Sequence, residues 1–330
     1  MATINDVAKL AGVSKGTISR YLSGTLKLKE ETTERIEAAI KETNYIPNKI
    51  AASIKTKNSS TIALVIPSTK NITFAEIAEA INDVISQQGY SMVIYTTNDK
   101  LEQEKQATNK IREHMLDGAI FITEPKGDKD MSHIDLLEKN GIKTLLINRF
   151  YEPNIYSNIS VDYYKGVREV IKYLNEMEYR RIGLILGWEN QDQSEIYRKG
   201  YVDQLKAMGQ EIDESLMIYC NYDEQETKKV VNELIGKGAD AIFTISDRSA
   251  LIALDVLEQR KMDIPEQIAI VGSGNTEFSR LIKMTSMDGK GELIGKKAAQ
   301  MLLDKMKNVE EDTFQLIKTT LVVRNTTRHK

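Results

Sequence analysis

Short apolar segments alternate with polar ones from the first residues of the chain. Between Asn5 and Gly24 the apolar positions have the spacing of two short helices, and Gly12 lies where a tight turn between them is needed. Ser14 precedes the second helix and is placed to cap its exposed amides. A third amphipathic helix is predicted at Glu30–Thr43. The inward positions of the first two helices are Val7, Ala8, Ala11, Val13, Ile18 and Tyr21.

This pattern predicts a helix-turn-helix whose second helix has a polar outer face. Such a helix presents its N-terminal side chains to the edges of DNA bases in the major groove. An ordinary three-helix domain would share part of the pattern. The small Ala8 at the helix crossing, the turn at Gly12 and the polar outer face together favour the DNA-reading motif. The outer face carries Lys15, Gly16, Thr17, Ser19 and Arg20.

A polar segment follows the three helices. Pro47 ends the third helix, and Asn48 is placed to cap a short helix that runs through Ile54 or Lys55. Lys, Asn, Ser and Thr then dominate, as in an exposed linker. Because so short a helix is marginal alone, we expect it to form only against a partner or against DNA.

The remaining chain alternates buried strands with helices. Two series of such strands predict two doubly wound lobes that face one another. The first series is Ile62–Ile66, Met92–Tyr95, Ala119–Ile122 and Thr144–Ile147, and the second is Ile182–Leu186, Leu216–Tyr219, Ala241–Ile245 and Ile268–Val271. Late segments cross back, with a strand at Met284–Met287, a helix at Glu292–Lys305 and a last strand at Leu321–Val323.

Composition limits the class of protein. The chain has 330 residues, of which 41% are hydrophobic, enough for two or three domain-sized units. The single cysteine, Cys220, fits a reducing compartment. We see no signal segment and no long apolar run, so we expect a soluble, cytoplasmic protein that does not enter a membrane. The three histidines are scattered, and neither a metal nor a cofactor is expected.

Charge is unevenly distributed along the chain. Residues 1–58 carry 10 Lys and Arg against 6 Asp and Glu, whereas the remainder carries 35 against 42. Chance variation between solvated helix faces could produce such a difference. A basic head on an acidic body also suggests that the head alone meets a polyanion.

Two quoted stretches now identify a family. "TINDVAKLAGVSKGTISRYLSG" and "NYIPNKIAASIKT" resemble the DNA-binding head and hinge helix of LacI-type transcriptional regulators (the LacI/GalR family), and the resemblance continues over essentially the whole chain. It implies an all-α helix-turn-helix head and an α/β periplasmic-binding-protein-like core of two doubly wound parallel-sheet lobes. The implied boundaries are 1–46 for the head, 47–58 for the hinge helix and linker, and 59–330 for the effector-binding and dimerisation core. Lobe one covers about 59–159 plus 290–318, and lobe two about 160–289 plus 319–330.

The hinge departs from the family pattern at two positions. Ala52 replaces the usual Arg, and Ile54 replaces the Leu that wedges into the minor groove, although Ile has similar volume. Lys29 also stands where a helix-capping Ser is common. The DNA contacts that the helix face and the resemblance imply are Thr3, Ser14, Lys15, Gly16, Thr17, Ser19, Arg20, Ser23, Tyr45, Asn48, Ala51 and Ile54.

Geometry predicts a homodimer on double-stranded, pseudo-palindromic operator DNA. One head reaches only one half-site, and a hinge helix this short needs its twin. The last residues, "VVRNTTRHK", contain no leucine heptads, so no added tetramerisation helix is expected.

Ligands of open α/β sheets bind beyond the carboxyl ends of the strands, which selects the loops to inspect. The loops there offer amides, carboxylates and guanidinium groups that bridge sugar hydroxyls, with aromatic faces that stack on sugar C–H surfaces. This set suits a small neutral carbohydrate. The predicted effector contacts are Ser68, Asn71, Phe74, Asn148, Arg149, Trp188, Tyr197, Tyr222, Asp247 and Asn275.

Several of these residues have a purely structural alternative. Asp247 could cap the helix that follows it, Phe74 could staple its own helix, and Arg149 could pair with a carboxylate between the lobes. Against the family pattern, Tyr197 replaces a sugar-binding Arg and Gly274 replaces an Asp. The segment Met287–Gly291 also carries glycines where larger contact residues are common. These departures predict a roomier, less charged pocket, and a disaccharide as the ligand.

Four functional classes remain to be weighed. An enzyme would need a nucleophile, an acid–base pair or a metal, and the sequence offers none of them. A sugar-binding protein without a regulatory role would have no use for the helix-turn-helix. A CcpA-like global regulator that answers to a phosphocarrier protein would share both head and core. The leading interpretation is a repressor of a carbohydrate-utilisation operon, controlled allosterically by a small sugar.

Overall fold

The computed structural model describes residues 2–22, 25–45, 59–122, 130–149, 156–309 and 313–329. It divides into two compact units, Met1–Ser59 and Ser60–Lys330, which are considered separately below.

The first unit is a three-helix head. Its helices are α1 (Ile4–Ala11), α2 (Lys15–Leu22) and α3 (Glu30–Thr43). Its core contains the six predicted inward residues of the first two helices, with Ile36 and Ala39 added from α3. Gly12 has the left-handed φ of 64° that the turn requires. The predicted helix-turn-helix is confirmed.

The ends of these helices follow their local sequence. The Ser14 hydroxyl accepts a hydrogen bond from the Thr17 amide at 3.1 Å, as a cap of α2 should. At the start of α3, Lys29 makes no side-chain cap, as its side chain predicts. The Tyr21 hydroxyl donates to Glu37 Oε1 at 2.7 Å and so ties α2 to α3.

Six strands form the first sheet of the second unit. They are β1 (Thr61–Ile66), β2 (Ser91–Thr96), β3 (Gly118–Phe121), β4 (Lys143–Ile147), β5 (Asn158–Val161) and β11 (Phe314–Ile317). Their order is β11-β5-β4-β3-β1-β2, and every pairing is parallel. The first lobe is built on this sheet.

A second sheet repeats this plan in the other lobe. Its strands are β6 (Ile182–Leu186), β7 (Met217–Tyr219), β8 (Ala241–Thr244), β9 (Ala269–Ser273), β10 (Ser286–Asp288) and β12 (Thr320–Val322). The order is β12-β10-β9-β8-β6-β7, with β12 antiparallel to β10 and the other pairings parallel. Two doubly wound lobes are thereby confirmed.

Some strands differ from the sequence prediction. β5 and β11 were not predicted, because "NISV" is half polar and "FQLI" has no fully buried residue. In β5 the polar side chains are buried and bonded, since Ser160 Oγ donates to Asn158 Oδ1 at 3.1 Å. β10 begins at Ser286 rather than Met284, and Leu216 ends a short 3-10 helix instead of opening β7.

Helices cover both sheets. They are α4 (Ile72–Gln87), α5 (Leu101–Glu113), α6 (Ser132–Lys139), α7 (Tyr163–Glu176), α8 (Asp192–Ala207), α9 (Glu224–Gly236), α10 (Asp247–Gln259), α11 (Glu277–Leu281) and α12 (Gly291–Met306). α12 lies so close to α4 that a Cβ on Gly295 would be 2.7 Å from the Ala80 Cβ. None of the helices in the described ranges is long and apolar enough to cross a membrane.

The chain passes between the lobes three times, after β5, after β10 and after β11. The first crossing leads from sheet one to α7, the second from sheet two to α12, and the third from sheet one to β12. The segments that follow β1 and β9 approach one another, because Thr73 Oγ1 lies 3.2 Å from where a Cβ of Gly274 would be, so the carboxyl ends of the parallel strands border a common cleft.

Candidate nucleic-acid interface and ligand cleft

The outer face of α2 is polar and open to solvent. Lys15, Gly16 and Arg20 are exposed, whereas Ile18, on the opposite face, is fully buried in the head core. Arg20 Nε donates to the Gly16 carbonyl at 3.2 Å, so the side chain runs back along the helix. Ser14 is exposed, and Thr17 and Ser19 are half-buried. The predicted base-reading residues therefore share one accessible surface.

Two other predicted DNA contacts also stabilise the head itself. Thr3 and Asp6 form a capping box at the start of α1, with Thr3 Oγ1 donating to Asp6 Oδ2 at 2.8 Å. Hydrogen bonds from the Thr3 amide and hydroxyl lower the pKa of the Asp6 carboxyl. Tyr45 is half-buried against the head core. Ser23, Asn48, Ala51 and Ile54 lie outside the described residues, as does the predicted hinge helix, so these contacts stay predictions.

At the end of β1, the predicted polar contacts shape the loop that leads into α4. Asn71 caps α4, because its Oδ1 accepts from the Thr73 amide at 3.1 Å. The Ser68 hydroxyl accepts from the Lys70 amide at 3.1 Å. Phe74 is half-buried and packs against the large core cluster of the two lobes. All three lie at the carboxyl end of β1, where a ligand of this sheet would lie.

Asn148 follows β4 and occupies the left-handed region, with φ of 54°. Its Oδ1 accepts from the Val161 amide at 2.8 Å, and its side chain also hydrogen-bonds Tyr163. Burial raises the pKa of the Tyr163 phenol to about 12. The sequence analysis did not select Tyr163. This residue directly follows the first crossing between the lobes, and a large polar side chain at such a position can contact both lobes.

Arg149 is turned away from the cleft. Its side chain is buried, and Nη1 donates to Glu104 Oε1 at 2.8 Å. His133 Nε2 lies 2.6 Å from the same oxygen, so the three groups form one buried cluster inside the first lobe. The structure therefore does not bring Arg149 among the predicted effector contacts. Its partner is a carboxylate within its own lobe, rather than one between the lobes.

Trp188 and Tyr222 lie at the carboxyl ends of β6 and β7, and both are half-buried. The Tyr222 ring lies against Gly187, where any Cβ would collide with it. Its hydroxyl donates to Gln191 Oε1 at 3.2 Å. These two aromatic residues are accessible members of the second lobe's predicted contact set.

Tyr197 is fully buried inside the second lobe. Its hydroxyl is 2.6 Å from Ser273 Oγ, and its ring centroid lies 5.5 Å from that of Tyr163 and 5.8 Å from that of Phe243. Burial raises its pKa well above the ordinary value. At this position the cleft is less charged than in the family pattern, as expected, but it is filled by an aromatic ring rather than made roomier.

Gly274 does not leave open space either. A Cβ on it would lie 3.2 Å from Thr73 Oγ1 of the first lobe and 3.2 Å from Thr276 Cγ2. Its φ of 128° also disfavours any other residue. The expectation of a roomier pocket is not met at positions 197 and 274, because neighbouring side chains fill the space that the substitutions leave.

Asp247 is fully buried and already holds three donors. Its Oδ2 accepts from the Thr276 amide at 2.7 Å and from the Thr276 hydroxyl at 2.8 Å, and its Oδ1 accepts from Ser286 Oγ at 2.6 Å. The cap of α10 is Ser246, whose hydroxyl accepts from the Ser249 amide at 3.2 Å. Asp247 therefore does not cap its helix, and its carboxylate is already bonded within the second lobe.

Asn275 lies on the second lobe with φ of 51°. Its Oδ1 accepts from Arg324 Nη2 at 2.7 Å. It also lines a cavity of about 500 Å³ between the lobes, which α4, α11 and the start of α12 surround with charged side chains such as Glu76 and Arg280. In the ranges that the structure describes, no group of three His, Cys, Asp or Glu residues is placed to hold a metal ion.

Comparison with known proteins gives two matches that together cover nearly the whole chain. Residues 3–48 match the family model described as "Bacterial regulatory proteins, lacI family". Residues 59–328 match the model described as "Periplasmic binding proteins and sugar binding domain of LacI family".

Individual proteins are similar over most of their length. The regulator CelR of Thermobifida fusca is 29% identical over 98% of this chain and 97% of its own. Catabolite control protein A of Staphylococcus xylosus is 25% identical over 85% of this chain and 84% of its own. Among solved structures, a CelR–cellobiose complex has a TM-score of 0.73 and 26% identity, and covers 99% of this chain and 100% of that one.

Proposed function

Because the chain belongs to the LacI family of bacterial DNA-binding transcriptional regulators, we propose that it represses carbohydrate-utilisation genes under the control of a small sugar. We also propose that the sugar is a disaccharide, with cellobiose the first to test. One observation carries this choice: the full-length similarity to CelR, of which a cellobiose complex has been solved. The proposed role is regulatory rather than enzymatic, and it is exercised in the cytoplasm, where the DNA is.

The chemistry of the cleft edges supports a neutral sugar. Trp188 and Tyr222 offer half-buried aromatic faces, and Asn71 and Asn148 offer amides at the facing edge. Sugar C–H surfaces stack on such rings, while amides bridge neighbouring hydroxyls. Position 197, where the family pattern has a sugar-binding Arg, here carries the uncharged phenol of Tyr197.

A homodimer is the proposed operator-binding form. α11 and α12 expose large apolar residues on the second unit, and a monomer would leave them in water: Phe278, Leu281, Ile282 and Leu293. Leu281 is 69% exposed and Phe278 is 47% exposed. Single exposed apolar residues are common on protein surfaces, whereas a group of them at neighbouring positions marks an interaction surface. We propose that a second copy covers this surface and sets the spacing of the two heads on a pseudo-palindromic operator.

We propose the following mechanism of control. The sugar closes the cleft, which rotates the first lobes of the dimer and separates the hinge segments at 47–58. These short segments lose their helical structure when apart, because a helix of this length is marginal alone. The heads then lose their fixed spacing, and affinity falls towards the non-specific, salt-sensitive level.

The test is calorimetric titration of the full-length protein with cellobiose, maltose, lactose and glucose. We expect saturable binding of cellobiose, weakened at least tenfold by Tyr222→Ala. Tyr219→Ala, which removes a half-buried aromatic residue of the same strand region, is the matched control and should bind as the wild type does. No binding of any of the four sugars would contradict the proposal.

The similarity to catabolite control protein A supports a second candidate, a CcpA-like regulator that answers to a phosphocarrier protein. The two functions differ in their effector. Tight binding of a phosphocarrier protein, together with no heat from any sugar, would favour this candidate. Sugar binding without phosphocarrier binding would exclude it.

A further inference from the structure

The short helix α11 lacks a cap from its own lobe. It has five residues, and a helix of that length has little stability alone. Thr276 lies at its N-cap but makes no side-chain cap, because both its amide and its hydroxyl donate to Asp247 Oδ2, at 2.7 and 2.8 Å. The next amide, that of Glu277, therefore needs an acceptor from elsewhere.

That acceptor comes from the other lobe. Glu76, in the second turn of α4, accepts from the Glu277 amide through Oε1 at 2.8 Å. The same oxygen lies 3.2 Å from Arg280 Nη2. A carboxylate is favoured at a helix N-terminus, where amide donors and the helix dipole both attract negative charge. A helix of the first lobe thus caps a helix of the second.

The contact extends along one face of α4. Thr73 and Glu76 are three residues apart and so share a helix face. Thr73 Oγ1 lies 3.2 Å from where a Cβ of Gly274 would be, three residues before the start of α11. Two neighbouring contacts therefore join α4 to the same segment of the second lobe, and relative movement of the lobes would break both.

We infer that Glu76 is a positioning residue, which holds the two lobes in this arrangement by capping α11 and thereby biases affinity for the ligand of the cleft. The ion pair itself adds little, because the Arg280 side chain is 50% exposed. The backbone cap matters more, since a helix cap changes a conformational equilibrium by about 2- to 30-fold. The capping stands on the structure alone, whereas the bias on ligand affinity rests on the proposed function.

Amide hydrogen exchange of the full-length protein tests the capping. We expect Glu76→Ala to speed exchange in the segment 274–283 by about 2- to 30-fold, because the Glu277 amide loses its acceptor. Glu76→Gln keeps an oxygen acceptor without the charge, so it should restore most of the protection. Glu79→Ala is the matched control, because Glu79 is exposed on the same helix, lines the same cavity and has no bond to the second lobe among the described residues.

Wild-type exchange in Glu76→Ala would overturn the inference, as would equal acceleration in Glu79→Ala. Acceleration in Glu76→Gln equal to that in Glu76→Ala would assign the effect to charge and overturn the capping role.

A second measurement tests the bias on ligand affinity, with cellobiose as the probe. Titration of the same variants should show a cellobiose Kd changed at least threefold in Glu76→Ala and unchanged in Glu79→Ala. An unchanged Kd in both would overturn the coupling. If the wild type itself fails to bind cellobiose, the proposed effector is wrong, while the exchange result still decides whether Glu76 caps α11.

Discussion

The outer face of α2 and the facing edges of the lobes differ in how their polar side chains are used before any partner binds. On α2, Lys15 and Arg20 are exposed on a helix whose other face is buried, and the Arg20 side chain donates to the Gly16 carbonyl of its own helix. In the cleft, Asp247 and Asn275 are already bonded to groups of their own lobe. DNA therefore meets exposed side chains, whereas a sugar meets polar groups that are already held in place by hydrogen bonds within their lobe.

This difference in prior bonding affects how specifically each surface selects its partner, as well as how tightly it binds. Exposed charges bind a polyanion readily and lose strength as salt rises. A buried polar group that is already bonded accepts a ligand only where the ligand replaces each lost bond, so the wrong ligand leaves costly unpaired groups. The comparison predicts that changes on α2 affect DNA binding and leave folding intact, while changes in the cleft affect folding first.

The largest expected effect is that of Asp247→Ala. The substitution leaves the Thr276 amide, the Thr276 hydroxyl and the Ser286 hydroxyl without their acceptor. We expect the free energy of unfolding to fall by about 3 kcal/mol or more, measured by urea denaturation. Asp255→Ala, on the exposed face of the same helix, is the control and should cost about 0.5 kcal/mol at most. Equal losses in the two variants would remove the distinction between the cleft and the surface.

A smaller effect should appear at high pH. Burial raises the pKa of Tyr163 to about 12, from 10.0, so the fold favours the neutral phenol. The unfolded chain ionises first, and this contribution is complete below pH 10 and is lost as pH rises to 12. The difference is worth about 3 kcal/mol at most. Tyr163→Phe should flatten the fall in unfolding free energy over this range. Parallel curves for wild type and Tyr163→Phe would contradict the buried environment of this phenol.

On the DNA side, Arg20→Ala should weaken operator binding by about 1–3 kcal/mol if the guanidinium reads a base. Its free energy of unfolding should change by about 0.5 kcal/mol at most, because the side chain lies on the surface. Fluorescence anisotropy on operator and scrambled duplexes measures the first effect. Equal weakening on both duplexes would assign Arg20 to the DNA backbone instead.

The same comparison explains which features could be predicted from sequence. In the head, the inward residues, the turn at Gly12 and the cap at Ser14 follow from helical periodicity and local side-chain chemistry, and the structure has each of them. Most buried strands of the lobes were also predicted, because continuous apolar runs mark them. β5 was missed because half of its buried residues are polar and satisfied by hydrogen bonds.

Contacts between distant segments could not be predicted. Arg149 was expected in the cleft, but its partner Glu104 lies 45 residues away along the chain on a helix that covers the sheet. The bond between Glu76 and the Glu277 amide joins residues 201 apart. Side-chain type and local pattern identify which residues face a cleft, whereas their bonding partners depend on how the whole lobe packs.

The central claim is that the ligand cleft and the DNA-reading head are linked, and one titration tests it most directly. Cellobiose is titrated into the full-length protein with and without a saturating operator duplex selected by the protein itself, and Trp188 fluorescence reports occupancy. If the sugar is an inducer, operator should raise the cellobiose Kd by about 5- to 150-fold, because linkage requires each ligand to weaken the other by the same factor. Tighter cellobiose binding with operator present would make the sugar a corepressor. Identical Kd values in the two titrations would contradict the claim that the two sites are linked.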